Sequence, residues 1–412
     1  MEPIPFGKPY IGKEEEEAVL AVLRSGWLTT GKETHAFEND FENFLKNGIL
    51  KSDALASGAL ASGEERFYCM AVNSATSGLH LALEAVGVER GDLVLVPSLT
   101  FTATAEVVRY LDAEVVFVDV SKNGYHMDPE ALDETLGKFN KGRAKAVIPV
   151  HYGGLPCDMD AILEVAKTHG LKVVEDAAHS FPSLLETGDQ GSLAFAGTIG
   201  EVGVFSFYAN KTITTGEGGM VVTRDEAIGS RIKLMRSHGI DRSIWNRYTD
   251  TKASWLYEVI APGFKYNIPD ILSALGRAQL RRAMDLLSMR KEIAVHYDAA
   301  FGSDEHFILP PTGPGDARHL YPLRLNLEKL TISRNEFAGK IQAEGVGISV
   351  HFIPLHIMPY YKERYSLQDM DFPETLKTYN STISLPIWPG MNEAQINRVI
   401  QVVKDLALKY TR

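Results

Sequence analysis

Lys211 sits where an amine can do chemistry. It follows Phe205-Ser206-Phe207-Tyr208-Ala209-Asn210 and precedes Gly216-Glu217-Gly218-Gly219. Residues 202–207 form an apolar run that reads as a buried strand, and 220–223 read as a second. Lys211 therefore falls in the polar turn between them. Most lysines are solvated surface amines. A lysine that forms a Schiff base instead needs low solvation and fixed geometry, because only the free amine is nucleophilic. Two other stretches end apolar runs with polar groups. Glu175-Asp176-Ala177-Ala178-His179-Ser180 follows the run 171–174, where Asp176 could equally cap the next turn. Asn73-Ser74-Ala75-Thr76-Ser77-Gly78 joins a strand-like run, 69–72, to a helix-like run, 79–86. A strand, a small-residue turn and a helix start can seat a phosphate on free amides and the dipole end. Ordinary helix capping by Ser or Thr is the competing use.

The stretch around Lys211 closely resembles the pyridoxal-phosphate lysine motif of the DegT/DnrJ family, aminotransferases of nucleotide-linked keto-sugars. The resemblance runs along nearly the whole chain and implies specific roles. Lys211 would carry the cofactor and Ser206 would bind its phosphate. Ala75 and Thr76 match the small residue and threonine of the phosphate turn. Phe101 matches the aromatic ring laid over the cofactor, a stack of the offset kind that aromatic pairs use. Asp176 matches the carboxylate that pairs with the pyridine nitrogen, so that the ring can hold electrons released at the substrate carbon. His179 matches the residue beside the ring oxygen. In 263–270, Asn267, or alternatively Lys265, matches a residue that reaches the phosphate of a partner subunit. The resemblance thus implies a homodimer with shared active sites and, as amino donor, L-glutamate. Segment 350–356, with His351 and His356, resembles a substrate-side turn of relatives that make 4-amino sugars. The expected substrate is a nucleotide-linked 4-keto sugar, such as a 4-keto-6-deoxy sugar, for polysaccharide or glycan biosynthesis.

The elements that must position these residues alternate strand with helix. Beyond the runs already named, 93–96, 115–118 and 146–150 read as strands, and 13–24, 129–136, 159–168 and 225–236 as helices. Such alternation means crossover connections and a mostly parallel sheet. The resemblance makes this a fold type I aminotransferase, α/β, with a large cofactor domain (1–280) and a smaller C-terminal α/β domain (281–412). Residues 271–297 read as a helical link. Strand-like runs at 319–325 and 347–352 follow, then a last helix capped by Asn392. Residues 46–66, which repeat Ala-Leu-Ala-Ser-Gly, read as an insertion. Glu14 to Glu17 read as a solvated helix start, and His151, after a strand, as a substrate-facing or structural histidine.

Composition bounds the rest. The 412 residues are 45% hydrophobic and 23% charged, ordinary for a globular protein. The net charge of −11 with no basic run speaks against nucleic acid. Two cysteines, Cys69 and Cys157, form no disulfide framework or metal spacing, and a reducing cytoplasm is the simplest compartment. No stretch approaches transmembrane length, so no membrane partner is expected. A sugar dehydratase of the same family would carry histidine in place of Lys211. A dinucleotide oxidoreductase would show Gly-x-Gly-x-x-Gly after its first strand, which is missing. A non-catalytic regulator would not need Lys211, Asp176 and Ser206 together.

Overall fold

The computed structural model describes residues 2–50, 66–140, 142–187, 192–241 and 256–412. The repeated Ala-Leu-Ala-Ser-Gly segment lies outside the described residues, as do Trp245 and Trp255. Two helices, α1 (Lys13–Ser25) and α2 (Lys32–Leu50), precede the sheet. The alternation then runs β1 (Tyr68–Val72), α3 (Ala75–Ala85), β2 (Leu93–Pro97), α4 (Thr102–Tyr110), β3 (Glu114–Val118) and α5 (Pro129–Leu136). It continues through β4 (Ala144–Val147), α6 (Met159–His169) and β5 (Lys172–Asp176). A hairpin of β6 (Leu184–Thr187) and β7 (Ser192–Phe195) leads to β8 (Val202–Ser206), β9 (Gly219–Thr223) and α7 (Glu226–Met235).

Seven of these strands form one sheet in the order β1-β9-β8-β5-β4-β2-β3. Only β9 runs against its neighbours. Every residue of β2, β8 and β9 is buried, which explains their unbroken apolar sequence. Along β8 the side chains alternate faces. Val202 and Val204 join the core cluster that also holds Leu79 of α3, Val107 of α4 and Ile232 of α7. Phe205 joins Phe207 and Phe181 around Phe41 of α2, whose ring lies 5.0 Å from Phe181 and 5.3 Å from Phe205. The lysine turn is thereby pinned to a core on both sides.

The expected link 271–297 is two helices, α8 (Asp270–Arg281) and α9 (Ala283–Phe301), broken at Arg282. Beyond α9, β10 (Phe307–Ile308), β11 (Tyr321–Leu325) and β12 (Thr382–Leu385) form an antiparallel sheet. Helices α10 (Arg334–Ala343), α11 (Pro359–Tyr365), α12 (Pro373–Ser381) and α13 (Glu393–Lys409) complete this region. It has its own core, with Phe337, Ile341, Val399 and Val403 against Leu323 and Ile383. Asn392 caps α13 in a reciprocal pair with Gln395.

Two expectations need correction. The run 347–352 is not a strand. Ser349 exchanges two backbone bonds with Ser384, and the chain then turns so that the ring of His351, not its backbone, meets the Ser384 hydroxyl at 2.9 Å. The acidic start of α1 is not wholly solvated either. Glu15 is fully buried and accepts from Gln279 at 2.8 Å and Arg282 at 2.9 Å, tying α1 to α8. Among the described residues no helix is long and apolar enough to cross a membrane, and no cluster of three metal-ligating side chains occurs.

Candidate active site

The carboxyl ends of β5 and β8 and the amino ends of β9, α3 and α4 converge on one cavity of about 430 Å³. This is where open α/β sheets place ligands. Ala75, Thr76, Phe101, Asp176, His179, Ser206 and Lys211 all line it, with His319, His351 and Phe352 from the C-terminal region. Asn267 does not. It sits beside β1, bridged to Val72, and its amide donates to Thr30 Oγ1 at 2.6 Å while Lys265 donates to its oxygen.

Lys211 is half-buried, and its open side is the cavity. Its Nζ lies 3.5 Å from His319 Nε2. Burial lowers its pKa to about 7, the Asp176 carboxylate opposes that shift, and Arg290 adds to it. At neutral pH much of the amine is therefore free to act as a nucleophile or base.

Asp176 closes β5 and is 5% exposed. Thr104 Oγ1 donates to its Oδ2 at 2.8 Å and the Ala178 amide to its Oδ1 at 3.1 Å. Thr104 is in turn 2.8 Å from the Thr100 hydroxyl. Burial pushes the Asp176 carboxyl up, and Thr104, the Ala178 amide and Lys211 hold back part of that shift. Its neighbour Glu175 points the other way. It is fully buried and accepts from the Gly197, Ile199 and Gly200 amides and from His151 Nε2 at 2.9 Å. The Cys157 amide donates to His151 Nδ1 at 3.0 Å, so that ring is committed to structure on both edges and does not face the cavity.

His179 accepts the Gly153 amide on Nδ1 at 3.3 Å, which puts its proton on Nε2. Its ring lies 4.5 Å from that of His319 and 5.7 Å from Phe352. Burial depresses the pKa of both histidines, with the Lys211 charge adding to it, and His351 falls to about 3 for the same reasons. The three imidazoles are neutral. Phe101 keeps 55% of its surface exposed although it lines the cavity, so one ring face is free to stack.

At the far end, Ser74 caps α3 by accepting from the Ser77 amide at 3.1 Å. The first-turn amides of Ala75 and Thr76 then have no intrahelical acceptor. Ser206 brings its hydroxyl to the same cavity. The cradle is tight: a Cβ on Gly219 would stand 2.8 Å from Phe205 O and 2.9 Å from the Ala75 nitrogen. Gly219→Ala is therefore expected to displace the start of α3 and raise the apoprotein's Kd for pyridoxal phosphate about tenfold or more, read by titrating the cofactor into folded protein. Unchanged affinity would show that the amides are not the phosphate seat.

A flat cationic heterocycle carrying an aldehyde and a phosphate fits this donor set. An amine of depressed pKa, a carboxylate, an exposed aromatic face and an anion cradle surround one volume of suitable size. Residues that sequence reasoning left without a role complete it. His319 stands 108 positions from Lys211, and no local pattern joins them. Thr104 carried a weak signal, since Thr100 and Thr104 are one helical turn apart.

Comparison with known proteins gives concordant results. The profile of the DegT/DnrJ/EryC1/StrS aminotransferase family matches residues 9–404. The spore coat polysaccharide biosynthesis protein SpsC of Bacillus subtilis is 40% identical over 406 residues, 98% of this chain and 97% of SpsC. The putative sugar aminotransferase Spr1654 of Streptococcus pneumoniae, in its PMP form, superposes with a TM-score of 0.84 at 26% identity, covering 98% of this chain and 99% of that one. PseC of Helicobacter pylori, an aminotransferase of pseudoaminic acid biosynthesis, gives a TM-score of 0.84 at 27% identity, covering 99% of this chain and all of PseC.

Proposed function

The chain belongs to the DegT/DnrJ/EryC1/StrS aminotransferase family and is a pyridoxal-phosphate-dependent sugar aminotransferase, and from that premise we propose that it moves an amino group from L-glutamate to a nucleotide-linked 4-keto sugar. The observation that carries this reading is the Lys211 amine, its pKa lowered to about 7 by burial, opposite a buried carboxylate in a cavity with an anion cradle. The 4-keto assignment draws on segment 350–356, and a role in polysaccharide building draws on the name of SpsC.

Bound pyridoxal phosphate supplies an aldehyde for the amine and a ring that takes up the electron pair released at the substrate carbon. The residues of this chain do the rest. The Ala75 and Thr76 amides and the Ser206 hydroxyl would hold the phosphate. Asp176 would hold the proton on the pyridine nitrogen, with Thr104 and the Ala178 amide donating to its carboxylate and aiming it. His179 would offer Nε2–H to the ring oxygen, and Phe101 would cover one face of the ring. Lys211 Nζ takes the proton from the α-carbon of the donor and later returns one to the sugar carbon. The reaction balances as glutamate plus keto-sugar to 2-oxoglutarate plus amino-sugar.

Asn267 stands outside this chain's own cavity, and in the proposed homodimer it serves the phosphate of the partner's site. Residues 1–280 form the cofactor domain and 281–412 the small domain. The proposed compartment is the cytoplasm, where nucleotide sugars would meet the enzyme. Incubation with glutamate and a panel of UDP- and GDP-linked 4-keto and 3-keto sugars, read by mass, is expected to yield an amine product with a 4-keto substrate. Absence of product across the panel, or amination of the 3-keto compounds alone, overturns the assignment.

A further inference from the structure

Arg290 of α9 is 2% exposed, yet no carboxylate pairs with it among the described residues. Burying a guanidinium without a counter-ion is costly, so the position requires a reason. Its four bonds all go to main-chain carbonyls. Nη1 donates to Ile387 O at 2.7 Å and His319 O at 3.2 Å. Nη2 donates to Asn210 O at 3.0 Å and, more weakly, Lys211 O at 3.4 Å. These carbonyls come from three separate stretches: the lysine turn, the approach to β11 and the exit from β12. Two belong to the residues whose side chains meet in the cavity, Lys211 and His319. Only a rigid fork of several donors can span them, which lysine's single ammonium cannot do.

The geometry points to Arg290 as a positioning residue for the reaction: it fixes the backbones of Lys211 and His319 against each other and sets a permanent positive charge behind the Lys211 amine. This rests on the reading of Lys211 as the cofactor-binding amine. The groups that face Lys211 are few. Asp176 comes from β5, His179 from the turn after it, His319 from before β11, His351 from the segment after α10, and Arg290 from α9; Glu217 lines the cavity from an exposed position. The three histidines are kept neutral by burial. The amine is thus balanced between Asp176, which favours the ammonium, and Arg290, which disfavours it. A guanidinium is the only basic side chain that stays charged in this position at any working pH. Burial lowers its pKa only to about 10.

The test uses apoprotein of the wild type, Arg290→Gln and Arg290→Lys. Competitive acetylation across pH, read by mass at position 211, gives the amine's titration midpoint. Borohydride fixation of added pyridoxal phosphate at the same position gives its reactivity. In Arg290→Gln the midpoint is expected to rise by about one unit, because a like charge is lost. In Arg290→Lys fixation is expected to slow about tenfold or more, because the fork is gone. A folded Arg290→Gln with an unmoved midpoint overturns the electrostatic role. If that variant does not fold, Arg290→Lys decides, and wild-type fixation in it overturns the positioning role. Wild-type protein left unlabelled at position 211 would instead sink the reading of the site itself.

Discussion

Lys211→Ala is expected to give a folded protein with no covalent cofactor, no visible absorbance from the attached aldehyde, and turnover down by at least about 10⁴-fold. Folding should survive because the side chain contributes little to the core. Its one side-chain hydrogen bond, to His319 Nε2, is 3.5 Å long. The sign of the stability change follows from its titration. Burial holds Lys211 near 7 in the folded protein against 10.5 as its ordinary value. Between those values the unfolded chain binds the extra proton, so the native apoprotein gains stability as pH rises through that window. The alanine variant lacks this dependence. Its melting temperature should therefore equal or exceed that of wild-type apoprotein at pH 7, with the two converging towards pH 10. Borohydride labelling at another lysine, or turnover within a hundredfold of wild type, would remove Lys211 from the centre of the reaction.

Much of this site could be read from the sequence because local rules govern it. The uniform apolar runs of β2, β8 and β9 reflect strands buried on both faces, and the Gly218-Gly219 pair marks a backbone that passes within contact distance of α3. Asp128, Asp225 and Asn392 cap the helices that follow them. What escaped depends on distance in sequence. Arg290 acts on Lys211 from 79 positions away through carbonyl groups, which leave no trace in side-chain patterns. His319 was visible only as the start of a strand-like run. It in fact precedes β11, which begins at Tyr321. Glu15 looked like one of four solvated acids until the approach of α8 enclosed it. The run 347–352 had the composition of a strand, but strands need a partner along their length, and β12 offers Ser349 a single bridge. Asn267 could be placed on its segment but not in a site, because nothing within one chain carries it to the cavity.

Asp176→Asn is expected to keep the fold and the covalent cofactor while turnover falls about 10³- to 10⁴-fold, roughly 4–5.5 kcal/mol of transition-state stabilisation. The amide has the shape of the carboxylate. Its oxygen can still accept from the Ala178 amide, and its nitrogen would face Thr104, whose hydroxyl can turn its proton to Thr100 and accept instead. What is lost is the negative charge. In the proposed reaction Asp176, with Thr104 and the Ala178 amide donating to its carboxylate, would hold a proton on the pyridine nitrogen; an amide cannot. The same loss acts on Lys211. Asp176 is the group that favours the Lys211 ammonium, so its removal should lower the midpoint for acetylation at position 211 below about 7. The variant would then present a freer amine and a weaker electron sink. Attachment of the cofactor should be as fast as in wild type or faster, while proton removal from the donor carbon becomes rate-limiting and shows a full deuterium isotope effect. Turnover above about a tenth of wild type would mean that the carboxylate only organises the turn after β5. A midpoint that rises instead of falling would mean that Asp176 and Lys211 do not share the cavity in solution.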